Sequence, residues 1–371
     1  MLARANRFPA LVRYGPSMPP IRLSCRGSDR PRALLAAVDR LRRGGLCALP
    51  TETVYGLGLL PAQADSEARA RTVLQRDAAR PFVLHVADRA AAMAQWPTTP
   101  PHVVRLLDRY WPGPLTVIQP SHTGLDVAVR LPAHEFTRSV IAACGEPLWL
   151  AALQRPAAAA CTDADTIVRD FPELDLVLDD GRSPLGTPST VVRRQGTRLD
   201  VLREGILSRA EVLHTAAATV LFVCTGNTCR SPLAELLARE LTAQQLQVPR
   251  DEVLAHGYRF VSAGTAALDG EPASDGSCGA AAELGLDLTA HRSTALTPAL
   301  ARQAEHIYCL AQSHRRALLA EVPDVAAKVH LLRPDRLDIA DPYGAELPRY
   351  RRARDEVRAA IAVRLRDWLP H

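Results

Sequence analysis

Apolar residues fall along this chain in short runs separated by amphipathic stretches, as they do where strands alternate with helices. Arg32 to Arg42 has helical periodicity, Gly44-Gly45 ends it, and Leu46-Cys47-Ala48-Leu49 is an apolar run of strand length. The alternation runs from Ile21 to Leu213 and predicts an α/β sheet. A second unit opens at Thr219-Val220-Leu221-Phe222-Val223, apolar and β-branched as a buried strand is. Pro232 to Leu241 then follows a helical period with proline inside the first turn. His214 to Ala218 is expected to be a linker, which gives two domains, 21–213 and 219–371. No repeat of about 20–50 residues recurs. No apolar run approaches the roughly 18 residues of a membrane span, so no membrane partner is expected.

The junction of that second strand and helix reads Cys224-Thr225-Gly226-Asn227-Thr228-Cys229-Arg230-Ser231. A loop of this kind aims backbone amides and a helix N-terminus at one point, where an anion is stabilised. The same field, with Arg230, favours the thiolate of Cys224 over a thiol whose ordinary pKa is about 8.5. The planar fork of Arg230 can hold two phosphoryl oxygens. Asn227 tolerates the left-handed backbone that such a curl needs, and Ser231 stands where its hydroxyl can orient the sulfur. This is the chemistry of a cysteinyl-phosphate intermediate. Cys224 and Cys229 could also bind a metal or form a disulfide, but no second pair at finger-like spacing follows, and no metal is expected. Cys229 is close enough in sequence to capture an oxidised Cys224 reversibly.

The full string resembles the low-molecular-weight protein-tyrosine phosphatases from Thr219 to the C-terminus, with further matches at Ser262-Ala263-Gly264-Thr265, at His291-Arg292-Ser293 and at Asp341-Pro342-Tyr343-Gly344. The resemblance implies a Rossmann-like fold with a four-stranded parallel sheet, catalysis by Cys224, Arg230 and Asp341, and a phosphate loop of Thr225, Gly226, Asn227, Thr228, Cys229 and Ser231. It implies a phosphorylated protein as substrate and no cofactor. Asp341 matches the family's general acid; read alone, Asp-Pro-Tyr-Gly is a surface turn. Thr228 matches the protein-arginine phosphatase branch, where tyrosine phosphatases carry isoleucine, and ranks phosphoarginine above phosphotyrosine.

In the first half, glycine and hydroxyl residues cluster in Leu49-Pro50-Thr51-Glu52-Thr53-Val54-Tyr55-Gly56-Leu57-Gly58, at a strand end where α/β folds place ligands. That string resembles the YrdC-like threonylcarbamoyl-AMP synthases, as do segments around Arg80-Pro81-Phe82, Tyr110-Trp111-Pro112-Gly113, Val129-Arg130-Leu131-Pro132, Pro188-Ser189-Thr190 and Leu202-Arg203-Glu204-Gly205. The resemblance implies a twisted open α/β sheet that condenses threonine, bicarbonate and ATP with Mg²⁺ for tRNA t6A formation. It places Thr51, His85, Arg130 and Ser189 at threonine and Arg76, Arg80 and Arg203 at ATP, with tRNA or t6A-pathway proteins as partners. Read blandly, these arginines are a solvated face. The sequence departs from the family at Leu74, where the family has lysine, and at Ala152 and Gln154, where it has serine and asparagine. Arg71, one helical turn before Leu74, is a candidate substitute for that lysine. Two readings follow: a bifunctional enzyme, or a phosphatase whose first half is a degenerate module binding nucleotide, threonine or RNA.

Composition adds little. The formal charge is +5, and Lys328 is the sole lysine among 45 basic residues, a bias that fits a GC-rich genome better than a nucleic-acid surface. Eight scattered cysteines fit a reducing cytoplasm. Residues 1–20, with three arginines, four prolines and no acid, are expected to be a disordered basic arm, Met18 offering a start just before the first strand.

Overall fold

The computed structural model describes residues 19–369 apart from residues 62 and 78, so nearly all of the basic arm lies outside the described residues. The chain divides into two compact units, one mostly before residue 210 and one mostly after it. No helix among the described residues is long and apolar enough to cross a membrane.

The first unit carries an open ten-stranded sheet. Its strands are β1 (Ile21–Ser24), β2 (Cys47–Leu49), β3 (Gly56–Leu59), β4 (Val83–His85), β5 (Leu115–Pro120), β6 (Asp126–Arg130), β7 (Leu148–Ala152), β8 (Leu176–Asp179), β9 (Thr190–Gln195) and β10 (Arg198–Arg203). Their order is β1-β8-β2-β3-β7-β4-β6-β5-β9-β10, with parallel and antiparallel pairs mixed. β2 is buried on both faces: Ala48 joins one apolar cluster with Leu57 and Phe171, while Cys47 and Leu49 join another with Leu41 and Val140. Full burial of each such aliphatic side chain is worth about 1.5–3 kcal/mol. The helix predicted at Arg32 begins two residues earlier and ends at Arg42 as expected.

The second unit is built on four parallel strands in the order β12-β11-β13-β14, with β11 (Ala218–Cys224), β12 (Tyr258–Gly264), β13 (His306–Cys309) and β14 (Val329–Leu331). β11 alternates between two cores: Val220, Phe222 and Cys224 pack on one side, Leu221 and Val223 on the other. That two-sided burial is why its sequence is a continuous apolar run rather than an alternating one. The helix after it, Arg230–Leu246, is longer than its predicted core and starts at the arginine itself.

One local expectation changes. The segment read as a linker is the end of a helix, Arg209–Ala216, followed directly by β11. The alanine run 157–160 is a turn and irregular chain, with Ala157 at φ +63°, and forms no helix.

Candidate active sites

Cys224 ends β11 and Arg230 begins the next helix, so the five-residue loop between them closes at the C-terminal edge of the parallel sheet. Asn227 sits at its apex with φ +54° and no exposed surface. Its backbone amide donates to Cys224 Sγ at 3.3 Å. Its side-chain carbonyl accepts from the Thr294 amide at 2.7 Å, which fixes the orientation of the side-chain NH₂. That group donates to Ser231 Oγ at 2.8 Å and to Ser262 Oγ at 2.9 Å. Ser231 Oγ lies 2.9 Å from Cys224 Sγ and 3.5 Å from the Ala263 carbonyl, so its proton has the sulfur as its nearer acceptor once the thiol is ionised. Ser262 in turn donates to Glu235 Oε2 at 2.8 Å. The directions of the bonds from Glu235 through Ser262 and Asn227 to Ser231 are therefore set, and the Asn227 backbone amide donates to the sulfur.

The loop is also braced from behind. His291 Nε2 donates to the Asn227 carbonyl at 2.8 Å. Gly264 lies so close that a Cβ there would meet Thr225 O at 2.4 Å and Asn227 N at 2.9 Å, so only glycine lets β12 pass under the loop. Buried His314 shares a hydrogen bond of 2.9 Å with Thr225 Oγ1, and burial followed by the nearby Arg230 charge pushes its pKa down to about 4. It is neutral at pH 7.

Arg230 is 5 % exposed. Its guanidinium donates to Ile339 O at 3.0 Å and to Asp341 Oδ2 at 2.6 Å, while its buried Nε has no partner among the described residues. Cys224, Thr225, Gly226, Thr228, Cys229, Arg230 and Asp341 line one cleft, which Leu268, Glu271, Asp275 and Tyr343 border. Thr228 is thus on the cleft wall, and Cys229 Sγ is held by Ser274 Oγ at 3.2 Å. A nucleophile with aligned donors, a cation and an exposed carboxyl in one cleft can carry out phosphoryl transfer to sulfur and protonate what leaves. Sequence reasoning missed Glu235, Thr294 and His314 as supports. Ser262 and His291 lay in segments that matched the phosphatases, but no spacing rule tied them to the loop.

In the first unit a separate cavity of about 350 Å³ brings together Thr51, Arg76, Arg80, His85, Arg130, Ser189 and Arg203, all seven residues singled out from the sequence. They come from different strands and loops, so a shared cavity was not implied by proximity in the chain. Arg130 donates to Glu52 Oε1 at 2.6 Å, to Thr53 Oγ1 at 2.9 Å and to Gly113 O at 3.2 Å. Glu52, which the sequence reading passed over, is held in turn by the Ala133 amide at 3.0 Å. Burial and then the Arg130 charge push His85 down to about 3. This neutral ring donates from Nδ1 to Val83 O at 3.0 Å, which leaves Nε2 as an acceptor. Ser189 Oγ lies 2.9 Å from Thr116 Oγ1, and Arg203 donates to the Ser189 carbonyl at 2.8 Å.

The arginines of this cavity repel one another. The pKa of Arg76 is lowered by burial, then by Arg80, Arg71 and Arg203; that of Arg203 by burial, then by Arg130 and Arg80. A solvated face would not show this, and an anion between them relieves it. Leu74, Ala152 and Gln154 also line the cavity, and so does Arg155. Arg71 does not: it pairs with Glu67 at 2.8 Å and donates to Asp77 O and Arg80 O, so it is committed to bracing the helix end rather than standing in at Leu74.

Comparison with known proteins matches a different family to each unit. The family profile Sua5_yciO_yrdC, described as telomere recombination, matches residues 39–205, and that of low molecular weight phosphotyrosine protein phosphatase matches residues 219–368. The threonylcarbamoyl-AMP synthase of Chromohalobacter salexigens is 33% identical over 167 residues, 42% of this chain and 89% of the relative. That of Pyrococcus abyssi is 31% identical over 186 residues, 47% of this chain, and the chain spans only 55% of its length. The protein-arginine-phosphatase of Geobacillus stearothermophilus is 35% identical over 146 residues, 38% of this chain and 90% of the relative. The chain therefore belongs to two families in succession, the Sua5/YciO/YrdC family of threonylcarbamoyl-AMP synthases in its first half and the low molecular weight phosphotyrosine protein phosphatases in its second.

Proposed function

We propose that the chain is a bifunctional cytoplasmic enzyme whose domains, 21–213 and 219–371, form threonylcarbamoyl-AMP and dephosphorylate a protein respectively. The convergence of Cys224, Ser231, Asn227, Arg230 and Asp341 at one cleft is the observation that carries the phosphatase half. Cys224 attacks phosphorus, Arg230 holds the equatorial oxygens as charge builds on them, and Asp341 gives its proton to the leaving atom. Water then releases phosphate from the cysteinyl-phosphate, with Asp341 taking a proton back. Ser231 and the Asn227 amide stabilise the sulfur each time it leaves as an anion.

Phosphoarginine is the preferred substrate. Thr228 on the cleft wall presents a hydroxyl to a planar, cationic guanidinium where a larger apolar side chain would suit a phenyl ring, and the Geobacillus relative is an arginine phosphatase. Thr228→Ile should move the ratio of kcat/KM for phosphoarginine over phosphotyrosine peptides downward by about tenfold; an unchanged ratio removes Thr228 as the selector.

In the first half, the arginine cluster is suited to the triphosphate of ATP, and Arg130, Thr51, Ser189 and the acceptor nitrogen of His85 to threonine. Mg²⁺ would come with the nucleotide, since no group of three or more His, Cys, Asp or Glu among the described residues is arranged to hold a metal. A second reading has one observation in its favour: Leu74 and Ala152 present apolar surface to the same cavity. Under it the cavity binds nucleotide, threonine or RNA, without turnover. Release of AMP and pyrophosphate from ATP, dependent on threonine and bicarbonate and unchanged by Cys224→Ser, decides for the enzyme. Binding of ATP without that release decides for the module. The tRNA pathway supplies the acceptor in the first case.

A further inference from the structure

The phosphatase cleft carries more negative charge than a phosphate site tolerates for its own sake. Besides Asp341, which is paired with Arg230, Glu271 and Asp275 line it. Neither of their carboxylates makes an ion pair or a side-chain hydrogen bond among the described residues. Glu271 is anchored only through its backbone, donating to Ser293 Oγ at 2.9 Å and accepting from the Ser293 amide at 2.8 Å. Asp275 opens the helix Asp275–Ala282. Among the described residues that line the same cleft the one cation is buried Arg230, whose Nε has no partner there. Two uncommitted carboxylates on the rim above it repel a phosphate dianion. They weaken binding of every phosphorylated substrate unless the substrate brings positive charge of its own.

The flanking apolar groups show where the rest of a substrate lies. Leu268 and Tyr343 border the cleft, 75% and 76% exposed. Large apolar side chains left this open at the rim of a site are suited to a polypeptide passing across it rather than to a small phosphate ester. The rim therefore combines two apolar contacts for a peptide with two free anions beside them.

We propose that Glu271 and Asp275 select phosphoproteins in which arginine or lysine flanks the phosphorylated residue. This rests on the phosphatase reading above and adds to it a rule for the substrate's neighbours. Each carboxylate meets a flanking cation at an exposed site, where such a pair is worth up to about a fivefold change in affinity. Together they give a preference of about tenfold for basic over acidic flanks, carried mostly by KM and weakened by salt.

The test compares kcat/KM of the full chain on two phosphopeptides, identical except for arginine or glutamate flanks, with p-nitrophenyl phosphate as a flankless control. The expected result is a ratio of about ten at low ionic strength that shrinks toward one as salt is raised. In a Glu271→Gln/Asp275→Asn variant that still turns over both peptides, the ratio falls to about two or less. A wild-type ratio near one, or a ratio that the variant or salt leaves intact, overturns the proposal while p-nitrophenyl phosphate turnover keeps the phosphatase reading. No turnover of any of the three substrates overturns both.

Discussion

Asn227 is the single residue on which the thiol site depends most, and its replacement can be worked through in numbers. Its side chain makes three hydrogen bonds of 2.7–2.9 Å, to Ser231, Ser262 and the Thr294 amide, in a position with no exposed surface. At about 1 kcal/mol net per bond, Asn227→Gly should cost about 3 kcal/mol. Asn227→Ala loses the same bonds and adds a Cβ at φ +54°. That strain of about 1–2 kcal/mol exceeds the roughly 0.4–1 kcal/mol that glycine loses through the freedom of its unfolded chain. Alanine should therefore be the less stable variant, by about 0.5–1 kcal/mol. Hydrogen–deuterium exchange of the β11 amides reads the second unit alone, because those central amides exchange only when that unit opens as a whole. Exchange should accelerate by roughly a hundredfold in Asn227→Gly and further in Asn227→Ala. Acceleration below about tenfold in both, or glycine faster than alanine, would refute the network and the strain argument respectively.

Three further outcomes are expected. Arg203→Ala removes one member of the repelling cluster and should raise the apparent Kd for ATP about tenfold or more, read by isothermal titration, with threonine affinity changed less. His314 is neutral when folded, with a pKa near 4 against about 6.5 unfolded, so the unfolded chain binds the extra proton between those values. Its share of stability is complete above about pH 6.5 and is lost as pH falls toward 4; the slope of β11 exchange protection over that window should flatten in His314→Gln. Peroxide should inactivate the phosphatase in a form that dithiothreitol recovers, and Cys229→Ser should make that loss irreversible; equal recovery in both proteins sets Cys229 aside as the resolving thiol.

The loop was the most legible part of the chain because its thiol, its turn and its arginine are local. Cys224, Asn227, Arg230 and Ser231 lie within one strand–turn–helix, and periodicity on either side marks where the turn must be. β11 was readable for the same reason, being buried on both faces and so carrying no alternation, whereas the four-stranded parallel sheet came with the resemblance to the phosphatases. What escaped came from elsewhere in sequence. Glu235 faces Ser262 across a helix–strand contact, and His314 reaches Thr225 from a helix 89 residues further on. In the first half, the pairing of Glu52 with Arg130 spans 78 residues, and Glu52 is identifiable as the partner only once the end of β6 is known to lie beside the Thr51 loop. Arg71 shows the opposite error. Helical spacing from Leu74 made it a candidate, but i,i+4 pairing with Glu67 had already claimed its guanidinium.

Arg230 and Asp341 show how the same two groups serve rest and reaction. Without substrate they pair at 2.6 Å, the arginine almost wholly buried and the carboxylate about half exposed. An incoming phosphate offers Arg230 two oxygens and more charge than one carboxylate, in a fork geometry that a single Oδ2 contact does not use. Phosphate therefore displaces Asp341 rather than adding to it. The exposed partner is the one able to move, and its release costs little because its water is already at hand. Under the proposed mechanism, binding itself thus releases Asp341 from its role as counter-ion, at the moment and place where the leaving atom needs a proton.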